Sequence, residues 1–212
     1  MHSIIAAAGT ATVLLLGGSS AGPVTERAAA RPPGAVSATV VSAGGSGCPG
    51  RPVITAQGTK DPATFSLQGP GVTARAGGSA TIADRSRFCQ LVISVRAARG
   101  WTWTLGRVEQ SGRAQLASGA VGTARFSFYW SGDPKTGTYA KSLKGPRDTA
   151  WTAADSIGIK RVGWAPCGSA ANLNIKTEVS VRSGADRSRI STMSVGGPGN
   201  APAAYRVSWR SC

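Results

Sequence analysis

The sequence predicts an all-β fold: a single-domain antiparallel β-sandwich of jelly-roll-like form, stapled by two disulfides. Three observations predict it. Apolar residues recur at every second position over short stretches, Gly- and Pro-rich turn signals separate those stretches, and four cysteines are spread along the chain behind an apolar N-terminal segment. Period two over a few residues marks strands with one buried and one wet face. Ten or more such strands with turns about every 8 to 12 residues imply a sandwich or barrel. Without a repeat of fixed period, a propeller or solenoid is not indicated.

The strands follow in order. Val36, Ala38 and Val40 alternate with Ser37 and Thr39, and Phe65 and Leu67 alternate with Thr64 and Ser66. Leu91, Ile93 and Val95 form the next run. Trp101, Trp103 and Leu105 share one parity, as do Phe126, Phe128 and Trp130, and large apolar stripes of this kind belong to sheet interiors. Leu173, Ile175, Thr177, Val179 and Val181 make the longest run, and Ile190–Val195 and Tyr205–Trp209 close the chain. Turns are expected at Gly58–Pro62, Gln68–Gly71, Ser111-Gly112, Ser131–Pro134, Gly145-Pro146 and Gly196–Gly199.

The N-terminal segment reads as a signal peptide over residues 1–21. Its apolar stretch, Ile4–Leu16, is followed by Gly17-Gly18-Ser19-Ser20-Ala21, which suits cleavage after Ala21, with Ala30 as the second choice. About 13 apolar residues are too few for a bilayer that needs roughly 20, so no membrane span is expected after cleavage. Residues 22–35, rich in Ala, Pro and Arg, read as a flexible segment, and residues 36–212 as the folded domain. The expected location is secreted, extracellular, and the expected state a monomer.

The formal net charge of +15 comes from 24 Lys and Arg against 9 Asp and Glu. It suits an anionic or glycan-rich surface such as the cell envelope, or keeps the chain soluble. No nucleic-acid motif is present. The one histidine, His2, falls inside the signal, so Ser-His-Asp and Cys-His schemes and His-based zinc sites are excluded from the exported chain. No cofactor or metal is expected: the cysteines lack CxxC spacing, and no Asp-x-Asp cluster suits calcium.

The surroundings of the cysteines are distinctive. They read Gly45-Ser46-Gly47-Cys48-Pro49, then Asp84-Arg85-Ser86-Arg87-Phe88-Cys89-Gln90-Leu91, then Trp164-Ala165-Pro166-Cys167-Gly168, and finally Val207-Ser208-Trp209-Arg210-Ser211-Cys212. With Gly112-Arg113-Ala114-Gln115-Leu116 and Leu173-Asn174-Ile175 between them, the chain resembles the DUF4360 family from about Val36 to Cys212. These are small secreted proteins of bacteria and fungi without an established function. Phe88 departs from the polar residue, often Asn, expected before the second cysteine. The resemblance implies export and disulfides, and it carries no catalytic residues to transfer.

Four cysteines allow three pairings. Cys48–Cys89 and Cys167–Cys212 are favoured because each joins sequence neighbours. In a meander, Cys48 and Cys89 both open strands at the same end of a sheet. Cys167 precedes a strand whereas Cys212 ends one, so the second pair needs a crossover between sheets.

For function, the leading expectation is a non-catalytic binding protein. The basic cluster Arg182, Arg187 and Arg189 flanks one turn and suits phosphate or carboxylate. Trp151 lies in a poorly patterned polar stretch and is the tryptophan expected to be exposed; with Tyr129 and Tyr139 it would form a ligand platform. Trp164 and Trp209 are expected to cover the disulfides. The alternative is a polysaccharide-active enzyme using carboxylates, with Asp148 and Asp155 around Trp151 as the acid/base pair. A protein-binding inhibitor or effector is a third class.

Overall fold

The computed structural model describes residues 37–48, 55–58, 64–68, 71–96, 99–156, 162–167, 171–197, 199–201 and 203–212. The expected signal, its cleavage points, the Ala/Pro/Arg-rich segment and Val36 lie outside the described residues, as do most of the turns expected at 58–62 and 68–71. The strands are β1 (Ser37–Gly44), β2 (Thr55–Gly58), β3 (Thr64–Gln68), β4 (Val72–Ala76), β5 (Ser86–Arg96) and β6 (Trp101–Leu116). They continue with β7 (Val121–Trp130), β8 (Thr136–Lys144), β9 (Arg147–Asp155), β10 (Ala171–Arg182), β11 (Ser191–Val195) and β12 (Ala203–Ser211). Among the described residues, no helix is long and apolar enough to cross a membrane.

Two antiparallel sheets form, as the alternation predicts. One has the order β1-β5-β10-β7-β8; the other has β2-β3-β12-β6-β11-β4, with β9 on the far side of β6. Their inner faces share one core. Trp103 of β6 meets Trp130 of β7 edge to face at 4.6 Å, and Phe128 of β7 meets Tyr205 of β12 at 6.3 Å. Phe65 stacks on Tyr205 at 5.0 Å. Such aromatic pairs each add about 0.5–1.5 kcal/mol beyond their area burial. Gln110 Nε2 donates to the Tyr205 hydroxyl at 2.8 Å, so two buried polar groups satisfy each other. Burial pushes that hydroxyl's pKa above its ordinary value.

Strand β6 organises the larger sheet. It is 16 residues long and pairs with β12 along Trp101–Glu109, with β11 along Gly112–Gln115 and with β9 along Val108–Leu116. Leu105 opposes Val207 and Arg107 opposes Arg206, so Gly106 is an extra residue, a bulge. The bulge switches the inward parity. Trp103 and Leu105 face the core before it; Val108, Gln110, Ala114 and Leu116 face it afterwards. The alternation read from the sequence therefore stops at Leu105 although the strand continues.

Ser111-Gly112, expected as a turn, lies in the middle of β6. Its glycine serves packing. Gly112 opposes Trp151 of β9, and a Cβ there would overlap the Ser194 carbonyl oxygen and come within 2.6 Å of the Trp151 ring. Trp151 is consequently 6% exposed. Its expected exposure is wrong, and the reason is the missing side chain at Gly112: the indole lies over bare backbone on the core side.

Strands β2, β4, β8 and β9 were not expected. In β4 the inward residues are Val72, Ala74 and Ala76, and in β9 Trp151 and Ala153. Alanine is a weak alternation signal. The turns expected at Ser131–Pro134, Gly145-Pro146 and Gly196–Gly199 do separate strands.

Both favoured disulfides form. Cys48–Cys89 has a Cα separation of 4.9 Å and Cys167–Cys212 one of 5.9 Å. The second closes because β10 and β12 belong to different sheets. Ala165 N donates to Trp103 O, laying the segment before Cys167 along β6, while Ser211 pairs with Trp101 at the start of that strand. Trp209 packs on the core beside Trp103, and Trp164 lies under the Arg210 guanidinium at 4.3 Å. Phe88 is partly exposed beneath Lys176 Nζ, 5.0 Å from the ring centroid.

Two outcomes follow from this packing. Gly112→Val should destabilise the protein by about 1–3 kcal/mol or more in thermal unfolding; an unchanged midpoint would mean Trp151 does not lie on that glycine. Peptide mapping without reductant should recover Cys48 joined to Cys89 and Cys167 joined to Cys212. Removing either bridge should cost roughly 2–5 kcal/mol.

Candidate functional site

The arginine cluster expected from the sequence sits at one end of the sandwich. Arg182 ends β10 beside Val121, the start of β7, and Ser180 pairs with Ser86 at the start of β5. Two connections therefore meet at this end: residues 77–85, between β4 and β5, and residues 183–190, between β10 and β11.

Backbone contacts hold them together. Gly78 N donates to Arg187 O at 2.8 Å. Gly77 and Gly78 have φ of 86° and 55°, and a Cβ at Gly77 would overlap the Arg189 carbonyl oxygen. A Cβ at Gly184 would likewise overlap the Ser118 carbonyl oxygen in the β6–β7 turn. Inside the loop, Ser188 N and Oγ donate to Asp186 Oδ1 at 2.9 and 2.6 Å, and these bonds hold the carboxyl below its usual pKa. The loop is thus fixed by main-chain contacts and one Asp–Ser turn.

Arg182, Arg187 and Arg189 are exposed. Among the described residues, no carboxylate forms a salt bridge with any of them or with Arg85. Asp186 is near enough for Arg189 to contribute to its lowered pKa, but its oxygen is already engaged by Ser188. The structure thus gathers these cations at one end in excess of carboxylate, with Asp186 offsetting only part of their charge.

The other acid of this end, Asp84, is a tie that sequence reasoning missed. It sits in a 3-10 turn, Ala83–Arg85, and is buried. Thr81 N and Oγ1 donate to its Oδ2 at 3.0 Å each, Arg87 Nη2 donates to Oδ1 at 2.7 Å, and Arg75 Nη2 reaches Oδ2 at 3.3 Å. Arg87 Nη1 also donates to Ser46 O at 3.1 Å, beside Cys48. The node joins β4, β5 and the loop after β1. The Thr81-x-x-Asp84 and Asp84-x-x-Arg87 spacings were its local signals; Arg75 comes from a separate strand.

The remaining expected site residues do not gather. Asp148 accepts from Arg113 Nη2 at 2.6 Å and from Gln115 Nε2 at 3.2 Å on the outer face of the larger sheet. Asp155 lies at the opposite end of β9, paired in register with Val108. Seven residues of strand separate the two carboxylates by roughly 23 Å, whereas a glycosidase pair needs about 5–10 Å. They do not form an acid/base pair. Tyr129 accepts from Gln90 Nε2 at 2.8 Å on the outer face of the first sheet, while Tyr139 packs on Phe126 at 4.6 Å. With Trp151 in the core, the three aromatics form no platform. Among the described residues, no three His, Cys, Asp or Glu side chains come together as a metal site.

The Thr81 backbone bond, then the Arg87 and Thr81 side chains, hold the Asp84 carboxyl well below its ordinary pKa. A depressed carboxyl stabilises the fold above its unfolded pKa of about 3.9, and that stability is lost as pH falls through the lower folded value. Asp84→Asn should therefore lower stability at neutral pH, with the deficit shrinking below about pH 4. Urea titrations across pH check this; a deficit independent of pH would remove the ionic role.

Comparison with known proteins identifies the family of the chain. An uncharacterized secreted protein of Arthroderma benhamiae is 28% identical over 139 residues, covering 66% of this chain and 56% of that protein. The chain thus spans little more than half the length of that relative. No solved structure matches. The family described as "Domain of unknown function (DUF4360)" matches residues 34–212, and the chain belongs to it.

Proposed function

We propose that this chain is an exported, non-catalytic binding protein that docks on an anionic extracellular surface, such as the cell envelope, through its arginine end. One observation carries the reading: Arg187 and Arg189 stand exposed on a loop held by backbone contacts, Arg182 stands exposed at the end of β10 beside it, and the nearby carboxylates Asp84 and Asp186 accept hydrogen bonds within the protein. A planar guanidinium presents a fixed fork of donors that suits phosphate and carboxylate oxygens. Placing such forks on a fixed loop lowers the entropy lost on binding. Two disulfides and a secreted relative support export.

Docking driven by sugar stacking has less support, because Trp151 is buried over Gly112. The polysaccharide-active alternative loses its candidate pair, since Asp148 and Asp155 stand far apart on one strand. No observation favours an inhibitor or effector.

Purified protein should be retained on an insoluble cell-wall fraction and on an anionic resin. The triple variant Arg182→Ser, Arg187→Ser, Arg189→Ser should elute from both at clearly lower salt with unchanged thermal stability. Elution at the wild-type salt concentration would overturn the assignment of docking to this end.

A further inference from the structure

The arginine end also carries two large apolar side chains in water. Ile82 is 81% exposed and Ile190 is 53% exposed. Ile82 caps the 3-10 turn that holds Asp84 and Arg85, and Ile190 follows Arg189 directly. Ile190 was expected to begin a strand, yet β11 starts one residue later. The two isoleucines lie on the two connections that Gly77 and Gly78 bring together; a Cβ at Gly78 would stand 2.6 Å from Ile190 Cγ1. Neither belongs to the core cluster. Arg189 precedes Ile190 and Arg85 lies three positions after Ile82, neither in a salt bridge among the described residues.

We infer that this end of the sandwich docks on an anionic phospholipid bilayer, with arginines on headgroup phosphates and Ile82 and Ile190 entering the acyl boundary. The inference rests on the docking function proposed above and names its surface. Charge alone suits any polyanion, so the isoleucines decide between surfaces. A hydrated phosphate polymer offers anions but no apolar phase, and both side chains would stay wet on it. A bilayer offers both at once: basic residues are drawn to its surface charge, and apolar ones gain by leaving water at the headgroup boundary. The geometry suits shallow insertion, because the isoleucines sit on chain connections beyond the sheet ends while the core residues remain inside.

The test compares the oxidised wild-type protein with Ile82→Ser/Ile190→Ser and with the arginine triple variant. Each is sedimented with vesicles of phosphatidylglycerol and phosphatidylcholine, with vesicles of phosphatidylcholine alone, and eluted from phosphocellulose. Wild type should bind the anionic vesicles and hold them at a salt concentration that releases it from phosphocellulose. The isoleucine variant should lose about tenfold or more of its vesicle affinity while its elution from phosphocellulose and its melting temperature stay unchanged. Equal vesicle binding by wild type and the isoleucine variant would overturn the lipid inference and leave anionic docking standing. So would retention on phosphocellulose without binding to anionic vesicles. If the arginine variant matched wild type in every arm, the docking function itself would fall.

Discussion

Three strands hydrogen-bond to β6 along different stretches, and the positions of the other parts of the larger sheet follow from that sharing. β12 takes the first half of β6, β11 the second half, and β9 the opposite edge. One strand serves three partners in this way only if its side chains face the core along its whole length. The Gly106 bulge restores the inward aim where the twist and the change of partner would lose it, and Gly112 makes room for the Trp151 ring. Trp103 then reaches across to Trp130, joining the two sheets. The start of β6 also receives the chain near both Cys167 and Cys212, so the second disulfide fastens the strand's free end.

The opposite end of the molecule is built on a different principle. Its loops are held by glycines, backbone hydrogen bonds and two aspartates whose oxygens accept from Thr81, Arg87 and Ser188. Internal use of the carboxylates leaves arginine in excess at the surface. A charged loop that is also fixed differs from a solvated charged tail, since binding to it does not first require ordering. The exposed isoleucines at this end lie outside the core, so much of their apolar surface is left for whatever surface they meet.

How far the candidate site could be read from sequence depended on distance along the chain. Arg182, Arg187 and Arg189 lie within eight positions and were legible as a group. The Asp84 tie was not: Arg87 lies only three positions from it, but Arg75 comes from β4 and Ser46 from the loop after β1, and only the fold brings these to the same node. Trp151 and Ser111-Gly112 were both misread, and for one reason. A tryptophan in a polar stretch and a glycine after serine each suggest exposure or a turn when read alone; read as a cross-strand pair they are a ring and the gap it fills. Asp148 and Asp155 illustrate the converse, since closeness in sequence means a long separation when the connecting chain is extended.

By itself the sequence indicated the strand-forming parity, the turns at Ser131–Pro134, Gly145-Pro146 and Gly196–Gly199 and the favoured pairing of the cysteines, along with a charge that must be accommodated at a surface. These are local or compositional properties: side chains alternate across a strand whatever it pairs with, and glycine and proline bend the chain on their own account. Tertiary structure decided which strands share β6, where the parity changes, which tryptophan is buried, and which arginines are neutralised. Most of those outcomes depend on groups far apart in the chain meeting through hydrogen-bond register and sheet packing, as Trp151 meets Gly112 and Arg75 meets Asp84.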